Sequence, residues 1–126
     1  MSLQDFARSE YVSLTTYRKD GTPVATPVWA AAEGGVLYIW TRSDSWKVKR
    51  LRNDSRVRVT VCDVRGRTAE DAPSAGGTAR LLDAAGTAAV RRVLARKYRW
   101  KFWLVDVPAM VVRLGKRPHT GIAVTF

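Results

Sequence analysis

The stretch RVRVTVCD, Arg56 to Asp63, alternates between apolar and polar residues without a break. On an extended chain Val57, Val59 and Val61 share one face, and Arg56, Arg58, Thr60 and Cys62 share the other. A period of two excludes a helix and demands a strand with one face buried. Such a strand needs partners, and the sequence offers them. Tyr11 to Arg18 is β-branched, aromatic or small, and Lys19-Asp20-Gly21-Thr22 supplies the turn chemistry of a hairpin. Pro23 to Ala32 reads as the next strand, with Pro27 requiring an edge or a bulge because proline cannot donate to a ladder. Glu33-Gly34-Gly35 is another turn, and Val36 to Thr41 (VLYIWT) is apolar enough for burial on both faces. These three strands are expected to form a meander. Thr78 to Leu82, Ala109 to Leu114 and Ile122 to Phe126 are further strands, the last two separated by a turn over Gly115 to Gly121. Val64 to Gly77, rich in Gly, Ala, Pro and charge, reads as a long loop.

Two helices interrupt this pattern. Ser43, Asp44 and Ser45 are good caps, and after them Val48 and Leu51 share an inward face. Trp46 and Arg50 are expected to point outward, with Lys47 on the flank. Gly86 to Tyr98 carries an apolar stripe of Val90, Val93, Leu94 and Tyr98 opposite Arg91, Arg92, Arg96 and Arg99. Six to seven mostly antiparallel strands with two or three helices make a mainly β chain, and a small barrel is the economical architecture because closure removes exposed edges. The 126 residues suit one domain, taken as 1–126, with no internal repeat or linker. No apolar run approaches the roughly 20 residues that span a bilayer, and Met1 to Glu10 lacks the apolar stretch of a signal peptide, so a cytoplasmic location is expected.

Side-chain catalysts are scarce. With one histidine, one cysteine and no convergent pair of carboxylates, no triad, metal site or acid–base dyad stands out. Cys62 reads as a small core or interface residue, and His119 as an exposed residue of the turn GKRPHTG. If the chain is an enzyme, a cofactor brings the reactivity. The segment TRSDSWKVKRLRND, residues 41–54, fits that requirement: a strand end leads through hydroxyls into a helix start, whose free N–H groups and dipole favour a phosphate. Lys47 on the flank could reach that phosphate without being fully buried. A solvated basic helix is the plainer alternative.

The runs LTTYRKDGTPVATPVW (Leu14 to Trp29), VLYIWT, SWKVKRLRNDSRVRV (Ser45 to Val59), Cys62-Asp63, GTARLL (Gly77 to Leu82) and LARKY (Leu94 to Tyr98) together resemble the pyridoxamine-phosphate-oxidase-like split-barrel family. Within it they look most like the actinobacterial deazaflavin (coenzyme F420)-dependent oxidoreductases. The resemblance spans about Tyr11 to Trp100. It implies an FMN-binding-type split β-barrel that forms a homodimer, with two cofactor sites at the subunit interface. The phosphate segment maps onto Thr41, Ser45 and Lys47, with Arg50 as a further contact. The ring maps along Thr26, Pro27, Val28 and Trp29, and Arg58 and Arg80 are candidates to complete the partner's pocket. Two departures stand out: Trp46 occupies a position where relatives carry a small residue or arginine, so it either adds a stacking surface or crowds the phosphate, and Asp54-Ser55-Arg56 replaces Asn-Pro-Arg.

FMN and the deazaflavin both present a phosphate and a tricyclic ring. The deazaflavin adds a glutamate tail, and a net charge of +11 with Arg91, Arg92, Arg96, Arg99 and Lys101 favours it electrostatically. The implied chemistry is hydride transfer between deazaflavin and a small electron-poor organic substrate, with the proton donor open among Tyr11, Tyr17, His119 and solvent. Alternatives are an FMN-dependent oxidoreductase, a non-catalytic flavin or haem carrier, and a nucleic-acid-binding barrel stacking bases on Trp40, Trp46, Trp100 and Trp103. The cluster Trp100 and Trp103 packs a helix end or dimer contact on one reading, and lids the substrate on the other.

Overall fold

The computed structural model describes residues 3–43, 45–98 and 119–126. The order of elements is α1 (Leu3–Arg8), β1 (Tyr11–Tyr17), β2 (Pro23–Val28), β3 (Ala30–Glu33), β4 (Val36–Arg42), α2 (Trp46–Asn53), β5 (Arg56–Cys62), β6 (Ser74–Leu81), α3 (Ala84–Tyr98) and β7 (His119–Thr125). All described strands join one sheet in the order β2-β1-β5-β6-β7-β4-β3, antiparallel throughout. The two edge strands, β2 and β3, are separated in sequence by Trp29 alone. Seven flat strands would hold those edges roughly 29 Å apart at about 4.8 Å per neighbour. Residues 28 and 30 can be no more than about 7 Å apart. The sheet must therefore curl until its edges meet, which makes a split barrel.

The inward faces follow the alternation. Val12 and Leu14 of β1, Leu37 and Ile39 of β4, Val57 and Val59 of β5, and Ile122 and Val124 of β7 form one buried cluster, to which α1 adds Phe6 and α2 adds Leu51. A second cluster lies outside the barrel, where Val90, Val93, Leu94 and Tyr98 of α3 cover Ala31 and the half-buried Tyr38 and Trp40. β4 is thus covered on both faces, as its apolar run requires. Gly77 shows how close the strands come: a Cβ there would sit 2.5 Å from the Thr125 carbonyl oxygen.

Several expectations are corrected. Pro23 to Ala32 is two strands on opposite edges, because a single strand cannot serve both sides of the split; Pro27 does lie on an edge, as its missing N–H demands. No three-strand meander forms, since β4 pairs with β3 and β7 and not with β2. The loop after β5 ends at Pro73, and β6 begins at Ser74, because Ala75 and Gly77 take the inward positions opposite Val59 and Val57. This loop folds back on the β2 edge, where Gly66 (φ 83°) approaches Pro27 closely enough that a Cβ would sit 3.3 Å from its ring. His119 belongs to β7, paired with Arg42 and stacked on Trp40 at 3.9 Å between ring centroids, and is half-buried instead of exposed in a turn. Helix α1 buries only Phe6, which is too little periodicity for the sequence to announce it. The expected strand Ala109 to Leu114, most of the following turn, and Arg99, Trp100, Lys101, Trp103 and Asp44 lie outside the described residues.

Candidate functional site

Ser45 has the extended backbone of an N-cap, and its Oγ accepts from the Val48 N–H at 3.4 Å. The helix it starts drives Val48 and Leu51 inward, which leaves Lys47 at the flank, half-buried. Burial lowers the Lys47 pKa below the usual lysine value, and the charges of Arg50 and Arg42 lower it further. Arg50 does not point outward as its helical phase suggested. Its Nε donates to Thr16 Oγ1 at 2.6 Å, tying the guanidinium to β1, and burial followed by the charge of Arg18 lowers its pKa.

These side chains border a cavity of about 820 Å3 between α2, the end of β4 and the inner edge of the β1–β2 hairpin. Arg18, Lys19, Val24, Thr26, Arg42, Ser45, Trp46, Lys47, Lys49, Arg50 and Asn53 line it. Six of these are cations, and among the described residues no acid is in the lining. A like-charged cluster around a half-buried lysine is poised for an anion. The Thr26 hydroxyl is buried there without a hydrogen-bond partner, and a buried polar group left unsatisfied marks a place for one. Trp46 is 70% exposed, with the Lys49 ammonium 4.3 Å from its ring centroid.

The structure brings together Thr26, Ser45, Trp46, Lys47 and Arg50 of the residues expected from sequence. Val28 packs against the barrel core, and Thr41 is buried on the inward face of β4. Pro27 faces outward on the edge strand. Trp29, at the split, stacks on Tyr98 at 4.3 Å with the rings 7° from parallel. Arg58 and Arg80 are exposed on the outer face of β5 and β6, so they do not line this chain's own cavity. Arg91, Arg92 and Arg96 lie on α3 away from it, and Arg96 pairs with Glu33 at 3.1 Å. Sequence reasoning missed Arg18, Lys19, Arg42 and Lys49. Arg18 and Lys19 flank a turn, where charge is ordinary, and only the curl of the hairpin toward α2 gives them a shared task.

Behind the split, the last turn of α3 clamps the chain where β2 becomes β3. The Tyr98 hydroxyl accepts from the Ala30 N–H at 3.0 Å and donates its one proton to the carbonyl of Glu10 (2.7 Å) or of Ala30 (3.0 Å). Lys97 Nζ donates to the Ser9 carbonyl at 2.6 Å and to that of Ala30. Burial lowers the Lys97 pKa to about 8.

Anion affinity should depend on pH in a defined direction. An anion favours the charged ammonium of Lys47, whose pKa in the free protein is depressed, so affinity is highest below that pKa and falls as pH rises through the higher pKa of the complex. Dissociation constants for a phosphorylated ligand measured from pH 7 upward should increase toward alkaline pH. A flat profile in wild type, or the same slope after Lys47→Gln, would contradict the assignment.

Among the described residues no group of His, Cys, Asp and Glu could hold a metal ion, and no helix is long and apolar enough to cross a membrane. Comparison with functionally curated proteins returned no match. Among solved structures, the conserved hypothetical protein Rv2991 from Mycobacterium tuberculosis superposes with a TM-score of 0.71 at 23% identity, over 99% of this chain and 80% of that one. A FAD-binding protein from Mesorhizobium loti gives 0.68 at 16% identity (98% and 83%), and an F420 reductase gives 0.63 at 19% (98% and 91%). At these identities the likeness establishes the barrel. The sequence profile of the pyridoxamine 5'-phosphate oxidase family matches residues 2–120. With the barrel, the capped helix and the profile in agreement, the chain belongs to the pyridoxamine 5'-phosphate oxidase family.

Proposed function

We propose that this chain is an oxidoreductase that uses the deazaflavin coenzyme F420, with FMN as the alternative cofactor, on a small electron-poor organic substrate. The observation that carries the reading is Lys47, held half-buried and surrounded by other cations at a capped helix start, on a cavity large enough for a tricyclic ring. Ser45, Lys47 and Arg50 would hold the phosphate, and Thr26 on β2 would meet a polar edge of the ring with its unpartnered hydroxyl. A reduced deazaflavin bound there would supply the hydride. Ser45, Lys47 and Arg50 would bind its anionic end, and Thr26 on β2 would help to orient its ring. We assign the chain to a homodimer, in which the outer face of β1, β5 and β6 offers Arg58 and Arg80 to the partner's site; no described helix covers that face. The likeness to an F420 reductase supports the choice of cofactor, and the likeness to a FAD-binding protein supports a flavin-type ring.

The test is fluorescence titration of the purified protein with coenzyme F420 and with FMN, followed by assay of the reduced cofactor with electron-poor acceptors. Tighter binding of the deazaflavin and its oxidation on adding an acceptor are expected. Tighter FMN binding would transfer the assignment to the flavin, and binding without turnover would make the protein a carrier.

A further inference from the structure

The motif LARKY, Leu94 to Tyr98, closes α3, and the cavity beside α2 uses none of it. Tyr98 serves the clamp at the split. Lys97 serves it too, but it also borders a separate hollow of about 340 Å3 between α1, β3 and α3. This hollow shares no residue with the α2 cavity. Its apolar lining is small, namely Ala7, Ala31, Ala32 and Val93, and its polar lining is Glu33, Arg96 and Lys97.

The Lys97 nitrogen is held in one orientation. It donates to the carbonyl of Ser9, just after α1, and to that of Ala30, the first residue of β3. A neutral amine has two hydrogens and one lone pair. The two hydrogens satisfy the two carbonyls, and the lone pair takes the remaining tetrahedral position, directed away from both. Burial favours that neutral form: it lowers the pKa to about 8, and the attraction of Glu10 offsets this only in part. At pH 7.5 roughly a quarter of such amines are neutral, against about one in a thousand for an ordinary lysine. Tyr98, whose ring centroid lies 4.9 Å from the nitrogen, brings no negative charge, because burial raises its phenol well above the usual value. Glu33 is paired with Arg96 at 3.1 Å. A guanidinium carries five donors, so that pairing leaves Arg96 with capacity for a carboxylate in the hollow.

We propose that Lys97 is a nucleophilic amine that captures a small oxo acid as an imine, with Arg96 receiving the acid's carboxylate. The hollow has room for an acid of a few carbons, and its small side chains leave the nitrogen open to one. In the capture step the lone pair attacks the aldehyde or ketone carbon and a C–N bond forms. The carbonyl oxygen leaves as water with two hydrogens from the nitrogen, so no oxidant or reductant is needed. Protonation of the imine restores one hydrogen, enough for one of the two carbonyls. Capture therefore opens half of the Lys97 clamp at the split.

The probe is glyoxylate, with acetaldehyde as the comparison that lacks a carboxylate. The full chain is incubated with each at pH 7.5 in the presence of cyanoborohydride, which reduces an imine to a stable amine, and the modified lysines are mapped in chymotryptic peptides by mass spectrometry. A blocked lysine in free solution is the reference. With glyoxylate, Lys97 should be modified about tenfold faster than the reference, because its larger neutral fraction is only partly offset by the weaker nucleophilicity of a less basic amine. The ratio of the glyoxylate rate to the acetaldehyde rate, divided by that ratio for the reference, should be about three- to fivefold in wild type, as expected for a partly exposed charge contact. Arg96→Gln, which leaves Lys97 and both carbonyls in place, should bring it close to one, with the thermal midpoint as the check on folding.

Modification of Lys97 no faster than the reference overturns the nucleophile. A ratio close to one in wild type, or one that Arg96→Gln leaves unchanged, overturns the oxo acid as its partner. Neither result bears on the α2 cavity, whose titrations with coenzyme F420 and FMN stand or fall separately.

Discussion

Lys47→Ala is expected to weaken binding of the phosphorylated cofactor by roughly ten- to hundredfold, the equivalent of about 1.5 to 3 kcal/mol for loss of a charged hydrogen-bond partner. The same substitution should leave the folded state no less stable. Lys47 is desolvated by its position, and Arg50 and Arg42 repel it, so the ammonium is held against its own electrostatic preference. Removing it relieves that repulsion. A residue that lowers stability slightly and raises affinity greatly is one retained for its ligand. The pair of measurements is a titration at near-neutral pH and a denaturant midpoint. Unchanged affinity would remove the phosphate site from the start of α2; a large fall in stability with little change in affinity would make Lys47 a structural residue.

The largest effect on stability is expected at Tyr98. Tyr98→Phe keeps the ring on Trp29 and removes only the hydroxyl, which leaves the Ala30 N–H without its partner at the split and frees the Glu10 carbonyl. Unsatisfied buried groups of this kind cost about 1 to 3 kcal/mol. Tyr98→Ala also removes the parallel stack at 4.3 Å and a ring that is almost wholly buried, and should cost about 3 to 5 kcal/mol. Urea unfolding followed by tryptophan fluorescence measures both, and Trp29 reports directly on the lost contact. Losses below about 0.5 kcal/mol for both variants would mean that the clamp contributes nothing. Because β2 runs into this clamp, the folded fraction of Tyr98→Phe should also bind cofactor more weakly, though by far less than Lys47→Ala.

How much of this was legible beforehand depends on the range of the interaction. The alternation of Arg56 to Cys62, the cap at Ser45 with Val48 and Leu51 inward, and the stripe Val90, Val93, Leu94 and Tyr98 all recur in the folded chain as read, give or take a residue or two at the ends. Each is a local periodicity, and local periodicity states which face will be buried without saying against what. The barrel itself was legible as a count of short strands, and the family through the order and spacing of its motifs.

Strand neighbours, by contrast, came from the tertiary structure. Pro23 to Ala32 has no residue that announces a break, yet Trp29 is where the chain leaves one edge of the sheet and joins the other, because the accumulated twist of the strands closes the split there. Arg50 abandons the outward phase of its helix for Thr16, a residue 34 positions away. His119 became a strand residue only because Arg42 stands beside it.

By itself, then, the sequence determined the strands, the faces they bury and the lysine beside a capped helix, since these depend on periods of two and 3.6 residues and on the chemistry of adjacent positions. The tertiary structure decided which cations share a cavity and which face outward: Arg18 and Lys19 join Lys47, whereas Arg58 and Arg80 do not. The physical reason is that charge repels over distances fixed by the curl of the sheet, and that curl is a property of all seven strands together.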